Sequence, residues 1–420
     1  MPPTGSVVSG GSGVGRQALS DLSQASAAQP AGGPVVSVVM PCLNEADTVA
    51  ACVTRAREAL AAAQIRSEVI VADNGSTDGS QDLARAAGAR IVPVSARGYG
   101  AALMGGIEAA NGRFIVMGDA DESYDFGESP KFVAKLQQGF DLVQGSRLPS
   151  GGGRVMSGAM PFLHRWWGNP MFSMLARWWF RSPVSDVFCG LRGFSKDAYA
   201  KLRLQCTGME FATEMIVRAS LMGLRMGEVP ITLHPDGRKS HPPHLRTFRD
   251  GWRTLRFYLL FSPRWLFLYP GLVLTLLGAT AAVAGYAGVR IGSAGLDVHT
   301  LLFGALMMIA GYQGVIFAVL TKLFAINSEL LPPDPRMQRF TRRYALEQGL
   351  ILGTVLIAIG IALVIATMVS WAERDFGALE YPRTLRIAIP GVLSTVLGLQ
   401  TILFVFFTGV LQLDRRVPQR

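Results

Sequence analysis

Apolar positions fall into two regimes along the chain. Between Val35 and His234 they form short β-branched runs, VVSVVMP, SEVIVADN, ARIVPV, GRFIVMGDA and DLVQGSR, separated by stretches of helical spacing that begin near Ala46 and Asp78. That alternation predicts an α/β sheet domain over residues 35–240. Further on, Trp265–Val289, Leu301–Ile326, Leu350–Trp371 and Ile387–Leu411 are mostly apolar. Each is near or above the roughly 20 residues that a helix needs to cross a bilayer. They lack the caps and polar faces of helices buried in a large soluble core, so residues 263–420 are expected to form a transmembrane domain of four spans.

Two segments fit neither regime. In 241–262, Leu245, Phe248, Trp252, Leu255 and Leu259 recur at spacings of three and four, with Arg246, Arg249, Arg253 and Arg256 one residue out of step. This predicts an amphipathic helix lying on a membrane, where each arginine near an anionic surface contributes on the order of 1 kcal/mol. Met160–Phe180 holds four of the seven tryptophans, in Arg165-Trp166-Trp167 and Arg177-Trp178-Trp179. Tryptophan favours the headgroup level, so two interfacial helices broken at Gly168-Asn169-Pro170 are expected; packing against the sheet is the alternative.

Composition agrees with a chain that lives partly in lipid: 50% of its 420 residues are hydrophobic and 17% charged, with mean hydropathy +0.30. The net charge of +10 suits an anionic membrane face or a phosphate-bearing substrate as well as nucleic acid, and cannot choose among them. Cys42, Cys52, Cys189 and Cys206 show no metal-ligand or disulfide spacing and are expected to be reduced and buried. Residues 1–34 read as a disordered leader without a signal-peptide run. Arg336, Arg339, Arg342 and Arg343 between the second and third spans, and Arg415, Arg416 and Arg420 at the end, belong on the cytoplasmic side. With an even number of spans the N-terminal domain is then cytoplasmic too.

Two nucleotide motifs fail. Gly10–Gln17 copies the phosphate-loop glycines but has Arg16-Gln17 in place of the lysine and hydroxyl. Gly98-Tyr99-Gly100 is followed by Leu103 where a dinucleotide fingerprint needs glycine. The remaining candidate is Asp119-Ala120-Asp121 at the end of an apolar strand, where alternate residues project to the same side and one divalent ion can take both carboxylates. A solvated turn explains most such triplets, so the context has to carry the reading.

That context is Pro41-Cys42-Leu43-Asn44-Glu45 after the first strand and Ala72-Asp73-Asn74-Gly75-Ser76-Thr77-Asp78 after the second. In this ordered series, over roughly residues 35–260, the chain resembles the family 2 glycosyltransferases of GT-A fold, and among them bacterial membrane enzymes similar to dolichyl-phosphate mannose and glucose synthases. The resemblance implies a GT-A domain followed by the interfacial helix and the four-helix membrane domain. It implies a nucleotide pocket from Pro41, Asn44, Glu45 and Asp73, and Mg²⁺ or Mn²⁺ on Asp119 and Asp121. Ser123 stands where simpler relatives carry glutamine, so whether Ser123, a water or a nearby acid completes the metal shell is left open.

Further landmarks are Gly145-Ser146-Arg147, Asp186 and Glu214. By resemblance Arg147, Arg154, Arg238 and Lys239 are candidates for the acceptor phosphate, with Arg154 in a glycine-rich stretch, Ser150–Gly158, expected to act as a mobile lid. A strand-end surface arginine is the alternative for Arg147. Asp186 is placed as an orienting carboxylate, with an ion pair to Arg192 as the alternative; Glu214 would contact sugar hydroxyls or pair with Arg218. His241 and His244, separated by prolines, are assigned no metal. The implied reaction moves a hexose from a UDP- or GDP-sugar to a polyprenyl phosphate, with inversion, at the cytoplasmic face of a bacterial inner membrane. The partners are the donor, the lipid acceptor and the membrane, with no nucleic acid and with a homo-oligomer allowed. Two alternatives stand beside this reading. A processive polysaccharide synthase would carry Gln-x-x-Arg-Trp, where this chain has Phe261-Ser262-Pro263-Arg264-Trp265. A noncatalytic scaffold or lipid translocator would not need both aspartates.

Overall fold

Each β-branched run forms a strand: β1 (Val36–Cys42), β2 (Ser67–Asp73), β3 (Arg90–Pro93), β4 (Phe114–Met117) and β5 (Leu142–Ser146). The structure is a computed structural model and describes residues 33–238, 247–343 and 346–412. Later strands are β6 (Arg154–Val155), β7 (Arg192–Ser195), β8 (Met226–Pro230) and β9 (Thr232–Leu233). The main sheet has the order β3-β2-β1-β4-β7-β5-β8, parallel except that β7 runs against both neighbours. Two reversals cancel, so the carboxyl ends of β1, β2, β4 and β5 open on one edge. This is the GT-A arrangement.

The inner strands β1, β4 and β5 are buried on both faces, which is why they read as continuous apolar runs and not as alternation. Val36, Val38 and Met40 join the core built with Val49, Val53, Ala56 and Leu60 of helix α1 (Val49–Ala62) and with Ala84 of α2 (Ser80–Ala86). The opposite face carries α3 (Tyr99–Ala109), whose Gly106 lies so near Val39 and Ala72 that a Cβ would come within 3.0 Å of both. Helix α4 (Ser129–Gln137) adds Phe132, Val133 and Leu136 to the first core.

The chain divides into two compact units: the sheet unit, and a helical unit that contains Met174–Ser182, Ile216–Gly223 and the C-terminal part of the chain. Between β6 and β8 lie α5 (Asn169–Phe180), α6 (Lys196–Leu202) and α7 (Glu210–Leu221). After them come α8 (Thr247–Phe261), α9 (Tyr269–Ala287), α10 (Val298–Asn327), α11 (Pro335–Arg343), α12 (Leu346–Ala372) and α13 (Tyr381–Gln412), with a small hairpin of β10 (Arg290–Ile291) and β11 (Ala294–Gly295) between α9 and α10. Among the described residues, four helices are long and apolar enough to cross a membrane: Arg264–Ala287, Val298–Asn327, Leu346–Ala372 and Tyr381–Gln412. They extend beyond the apolar runs because residues such as Glu347, Arg383 and Arg386 continue the same helical turns.

Within this unit α9 packs on α10, α12 on α13, and α10 on α13. Glycines permit the close approach, since helices in lipid gain little from burying apolar surface and associate by tight backbone contact. Gly271, Gly278 and Gly285 stand seven residues apart on α9; a Cβ at Gly278 would come 2.7 Å from the Gly304 carbonyl oxygen, and one at Gly304 would come 2.5 Å from the Ala282 nitrogen. Gly353 and Gly360 meet Gly398 and Gly391 in the same way. Polar pairs join α10 to α13: Tyr312 with Thr401 at 2.8 Å, and Gln400 donating to Gln313 at 2.9 Å. Gly304→Leu is expected to cost more than the roughly 1–3 kcal/mol of ordinary overpacking, because backbone blocks it. A thermal melt in detergent checks this against Gly295→Ala, whose Cβ meets nothing; equal melting temperatures would rule the close packing out.

Several expectations change. The tryptophan segment is one helical run from Phe162 to Phe180, unbroken at Gly168-Asn169-Pro170. A π-turn at His164–Gly168 widens the helix two residues before Pro170, and a second at Arg264–Leu268 does so before Pro270, leaving room for a ring that would otherwise strike the preceding turn. On α8, Phe248 and Trp252 are exposed as expected, but the helix also buries Phe257 and Tyr258, with Tyr258 against Trp179 and Phe180. The stretch expected to be a lid is packed: a Cβ at Gly153 would meet the Ser146 carbonyl oxygen at 2.0 Å, and one at Gly151 the Ser185 hydroxyl at 2.4 Å, while Arg154 and Val155 pair with β9. Those two glycines serve close approach rather than freedom to move. The leader up to residue 32, together with Lys239, His241, His244, Leu245, Arg246, Arg415, Arg416 and Arg420, lies outside the described residues.

Candidate active site

Hydrogen bonds between the loops after β1 and β2 build one wall of the site. Asn44 takes a left-handed backbone, φ 60°, which asparagine tolerates better than most residues. Its side chain accepts from the Thr77 N–H at 2.9 Å and its own N–H donates to Ser76 at 3.0 Å. The Glu45 N–H donates to Ser80 at 2.8 Å, and the Ala46 N–H to Asp78 at 2.9 Å. Asp73, at the end of β2, is buried and accepts from the N–H groups of Gly75 and Ser76 and from Gln81 at 2.7 Å. Pro41 lies near the end of β1, beside Ala72 of β2, half buried.

Asp119 and Asp121 follow β4 by two and four residues, in a bend rather than on the strand, so pleating does not aim them. Two other contacts place this loop. Thr48 donates to the Ala120 carbonyl at 2.6 Å, and Glu122 turns the chain with φ 61°. The Ser123 hydroxyl donates to Asp121 Oδ1 at 2.5 Å, so Ser123 orients this carboxylate.

A third contact is cationic. Arg238 grips Glu45 with two nitrogens, at 2.8 Å from Nε to Oε2 and 2.5 Å from Nη2 to Oε1, while its Nη1 reaches Asp121 Oδ2 at 3.1 Å and Asp236 Oδ2 at 2.7 Å. Burial works against that charge, but Glu45, Asp121 and Asp236 together raise the Arg238 pKa above its ordinary value. The residue expected at an acceptor phosphate thus stands among the acids and neutralises them.

Asp119 is the exception in this cluster, because its Oδ1 is buried without a hydrogen-bond partner. Burial first, and then the charge of Asp121, push its pKa up to about 6, while a hydrogen bond from Tyr99 and the Arg238 charge pull the other way. Gly190 lets the backbone approach the other oxygen closely, since a Cβ there would come 2.7 Å from Asp119 Oδ2. Among the described residues no three His, Cys, Asp or Glu side chains converge as a metal cage. Two carboxylates, one with an orphaned oxygen, fit an ion that draws its remaining ligands from a diphosphate and water.

Arg147 and Asp186 come together, though not as assigned. Asp186 is 0% exposed and Arg147 7%. They form a two-pronged ion pair, 2.8 Å from Nε to Oδ2 and 2.9 Å from Nη2 to Oδ1, and the Arg147 N–H adds a third bond at 3.0 Å. Arg147 Nη1 donates to the Tyr124 hydroxyl at 3.3 Å, which accepts the Gly190 N–H at 2.8 Å. Arg147 is therefore neither a surface arginine nor an open phosphate cradle. Asp186 pairs with Arg147 rather than Arg192, and both of its carboxylate oxygens are engaged. Arg154 is exposed on the β6–β9 ribbon, and Glu214 accepts from the N–H groups of Gln205 and Cys206 at 3.0 and 2.8 Å.

Sequence reasoning missed Tyr99, Tyr124, Gly190 and Arg192. Arg192 is fully buried and donates to the carbonyls of Ala212 and Cys189 at 2.7 and 2.6 Å. Burial lowers its pKa, with Tyr99 and Asp119 among the neighbours that oppose this. Tyr99 was visible inside Gly98-Tyr99-Gly100; once the dinucleotide fingerprint failed, nothing in the spacing pointed to Asp119.

Two family models match separate stretches of the chain. Residues 37–203 match the family model described as glycosyl transferase family 2, and residues 319–412 match the glycosyltransferase family 2 C-terminal transmembrane region. The low-salt glycan biosynthesis hexosyltransferase Agl6 of Haloferax volcanii is 37% identical over 384 residues, covering 90% of this chain and 89% of that protein. The dolichyl-phosphate hexose transferase of the same organism is 31% identical over 167 residues, 40% of this chain and 69% of that protein. Among solved structures, glucosyl-3-phosphoglycerate synthase from Mycobacterium tuberculosis, in complex with Mn²⁺, UDP and glucosyl-3-phosphoglycerate, aligns over 54% of this chain and 78% of its own with 20% identity and a TM-score of 0.40. A relative 37% identical over 90% of this chain, the two family regions matched within it, and paired aspartates after the central strand make the chain a membrane-attached member of glycosyltransferase family 2.

Proposed function

We propose that the enzyme transfers a hexose from a UDP- or GDP-sugar to a polyprenyl phosphate, with the sheet unit on the cytoplasmic side of the membrane. The observation that carries this reading is the acidic cluster of Asp119, Asp121 and Glu45 on the open edge of the sheet, balanced by Arg238, in a chain with four membrane-length helices. The names of the relatives, a hexosyltransferase and a dolichyl-phosphate hexose transferase, support the reaction class.

Pro41, Asn44 and Asp73 face the nucleotide, and Asp73 accepts from the base. Asp119 and Asp121 would hold Mg²⁺ or Mn²⁺, and the ion would supply positive charge to stabilise a departing nucleoside diphosphate. Arg238 stays anchored on Glu45 and presents its remaining N–H groups to the acceptor phosphate, with Lys239 and Arg154 adding charge. A phosphate oxygen bonds to the anomeric carbon as the carbon–oxygen bond to the diphosphate breaks, inverting the centre. The attacking oxygen is already ionised at neutral pH, so no general base is required and the protein's work is positioning and charge neutralisation.

Incubating the detergent-purified enzyme with UDP- and GDP-hexoses and undecaprenyl phosphate is expected to yield a lipid heavier by one hexose, and to release nucleotide only when the lipid is present. Mass spectrometry of the lipid fraction decides. Chains of several hexoses would favour a processive synthase, and absence of any product with every donor would favour a scaffold.

A further inference from the structure

We propose that the cleft at the end of α5 binds the phosphate headgroup of an anionic membrane phospholipid. The cleft has a volume of about 570 Å³ and is lined by Met174, Arg177, Trp178, Arg181 and Ser182, none of which belongs to the acidic cluster. Arg177 and Arg181 are exposed and have no carboxylate partner among the described residues. Ser182 is 5% exposed, and its hydroxyl is buried without a hydrogen-bond partner.

Two guanidinium groups and a hydroxyl that converge on one cleft are the donor set that a phosphate needs. Arg181 holds a left-handed backbone, φ 57°, which turns the chain after the helix so that Arg181 and Ser182 line the same cleft as Arg177. The bland reading is that both arginines offset the negative C-terminal end of the α5 dipole. That would account for their charge but not for a buried hydroxyl lacking an acceptor, which a phosphate oxygen would supply.

Aromatic contacts fix the level of the cleft. The Trp178 ring lies 4.1 Å from Trp265, Trp179 stacks on Trp265 at 5.4 Å, and Trp265 lies 4.7 Å from Tyr269. Trp265 is in the first turn of the Arg264–Ala287 membrane helix. Tryptophan and tyrosine gather where the hydrocarbon meets the headgroups. A cleft that shares a wall with this cluster sits where lipid phosphates are, and Met174 and Trp178 offer the upper acyl chain an apolar surface.

The test is native mass spectrometry of the full-length protein in mild detergent, incubated with phosphatidylglycerol, phosphatidylcholine or inorganic phosphate. The parent is expected to retain one phosphatidylglycerol in preference to phosphatidylcholine, with millimolar inorganic phosphate failing to displace it. Arg177→Gln/Arg181→Gln should lower that retention about thirtyfold, roughly fivefold for each arginine removed near an anionic surface. Ser182→Ala should lower it severalfold, and decides the matter if the double variant does not fold. Equal retention of the two lipids would overturn the proposal. So would a lowered melting temperature with lipid retention unchanged, which is the dipole role, or displacement by inorganic phosphate, which would assign the cleft to a free anion.

Discussion

Asp121→Asn is expected to lower hexose transfer by about 10³-fold, equivalent to some 4 kcal/mol of lost transition-state stabilisation, while the protein remains folded. Asparagine keeps the oxygen that accepts from Ser123. Arg238 keeps its two-pronged grip on Glu45 and its contact with Asp236, so no buried cation is stranded. What disappears is one of the two negative charges that would hold the divalent ion. Asp119→Asn is expected to lose as much, because the orphaned Oδ1 is the oxygen with no other duty.

A binding readout separates this from a defect in turnover. In the folded protein the Asp119 pKa is pushed up to about 6, above the 3.8 of an ordinary aspartate. The folded protein therefore holds the extra proton between those values; the associated stability is complete below about pH 4 and is lost as pH rises through 6. A cation that binds the ionised carboxylate reverses this. Mn²⁺ should raise the melting temperature of the parent more at pH 7.5 than at pH 5, and should do little for either variant. Turnover in EDTA at the parental rate, or an Mn²⁺ shift indifferent to both substitutions, would remove the metal from the account.

The second large effect concerns stability. Asp186→Ala leaves Arg147 charged and buried with only the Tyr124 hydroxyl for company, which should cost about 3–5 kcal/mol. Burial opposes the Arg147 charge, but Asp186 and Tyr124 outweigh it and raise its pKa above the ordinary value. Removing the larger of these supports makes the desolvation uncompensated. Replacing both partners by apolar residues, as in Arg147→Met/Asp186→Leu, should recover much of the loss, and a double-mutant cycle on melting free energies measures how much. If Arg147 instead served the acceptor phosphate, with Asp186 merely nearby, single variants would melt like the parent and fail only in transfer. The expected order is the reverse, instability first and lost activity as its consequence.

Particular residues show how far the sequence could be read. The inner strands were legible because a sheet covered on both faces leaves unbroken β-branched runs, and the half-exposed edge strand β3 from its β-branched Ile91-Val92 alone. The four long helices were legible because lipid demands some 20 apolar residues without relief. Asp119 and Asp121 could be picked out only because Pro41–Glu45 and Ala72–Asp78 precede them in order. The heptad-spaced glycines at 271, 278 and 285 were equally visible but were passed over, since hydropathy scores glycine as nearly neutral and its packing role appears only against a partner helix. Gly168-Asn169-Pro170 misled, because a π-turn can absorb the proline that local rules treat as a break.

Partnership among charged groups could not be read at all. Arg147, Arg154 and Arg238 looked alike as cations near a phosphate site, yet one is locked to Asp186, one is exposed on a ribbon, and one lies among Glu45, Asp121 and Asp236. Secondary structure and membrane insertion follow from spacing and composition, which act over a few residues or one helix length, and the sequence alone determined these. An ion pair is decided within about 4 Å between residues that may be 193 positions apart, as Glu45 and Arg238 are. Only the crossing of strands in the folded sheet brings such groups within that range, so which carboxylate each arginine neutralises, and which oxygen is left for a metal, belonged to the tertiary structure.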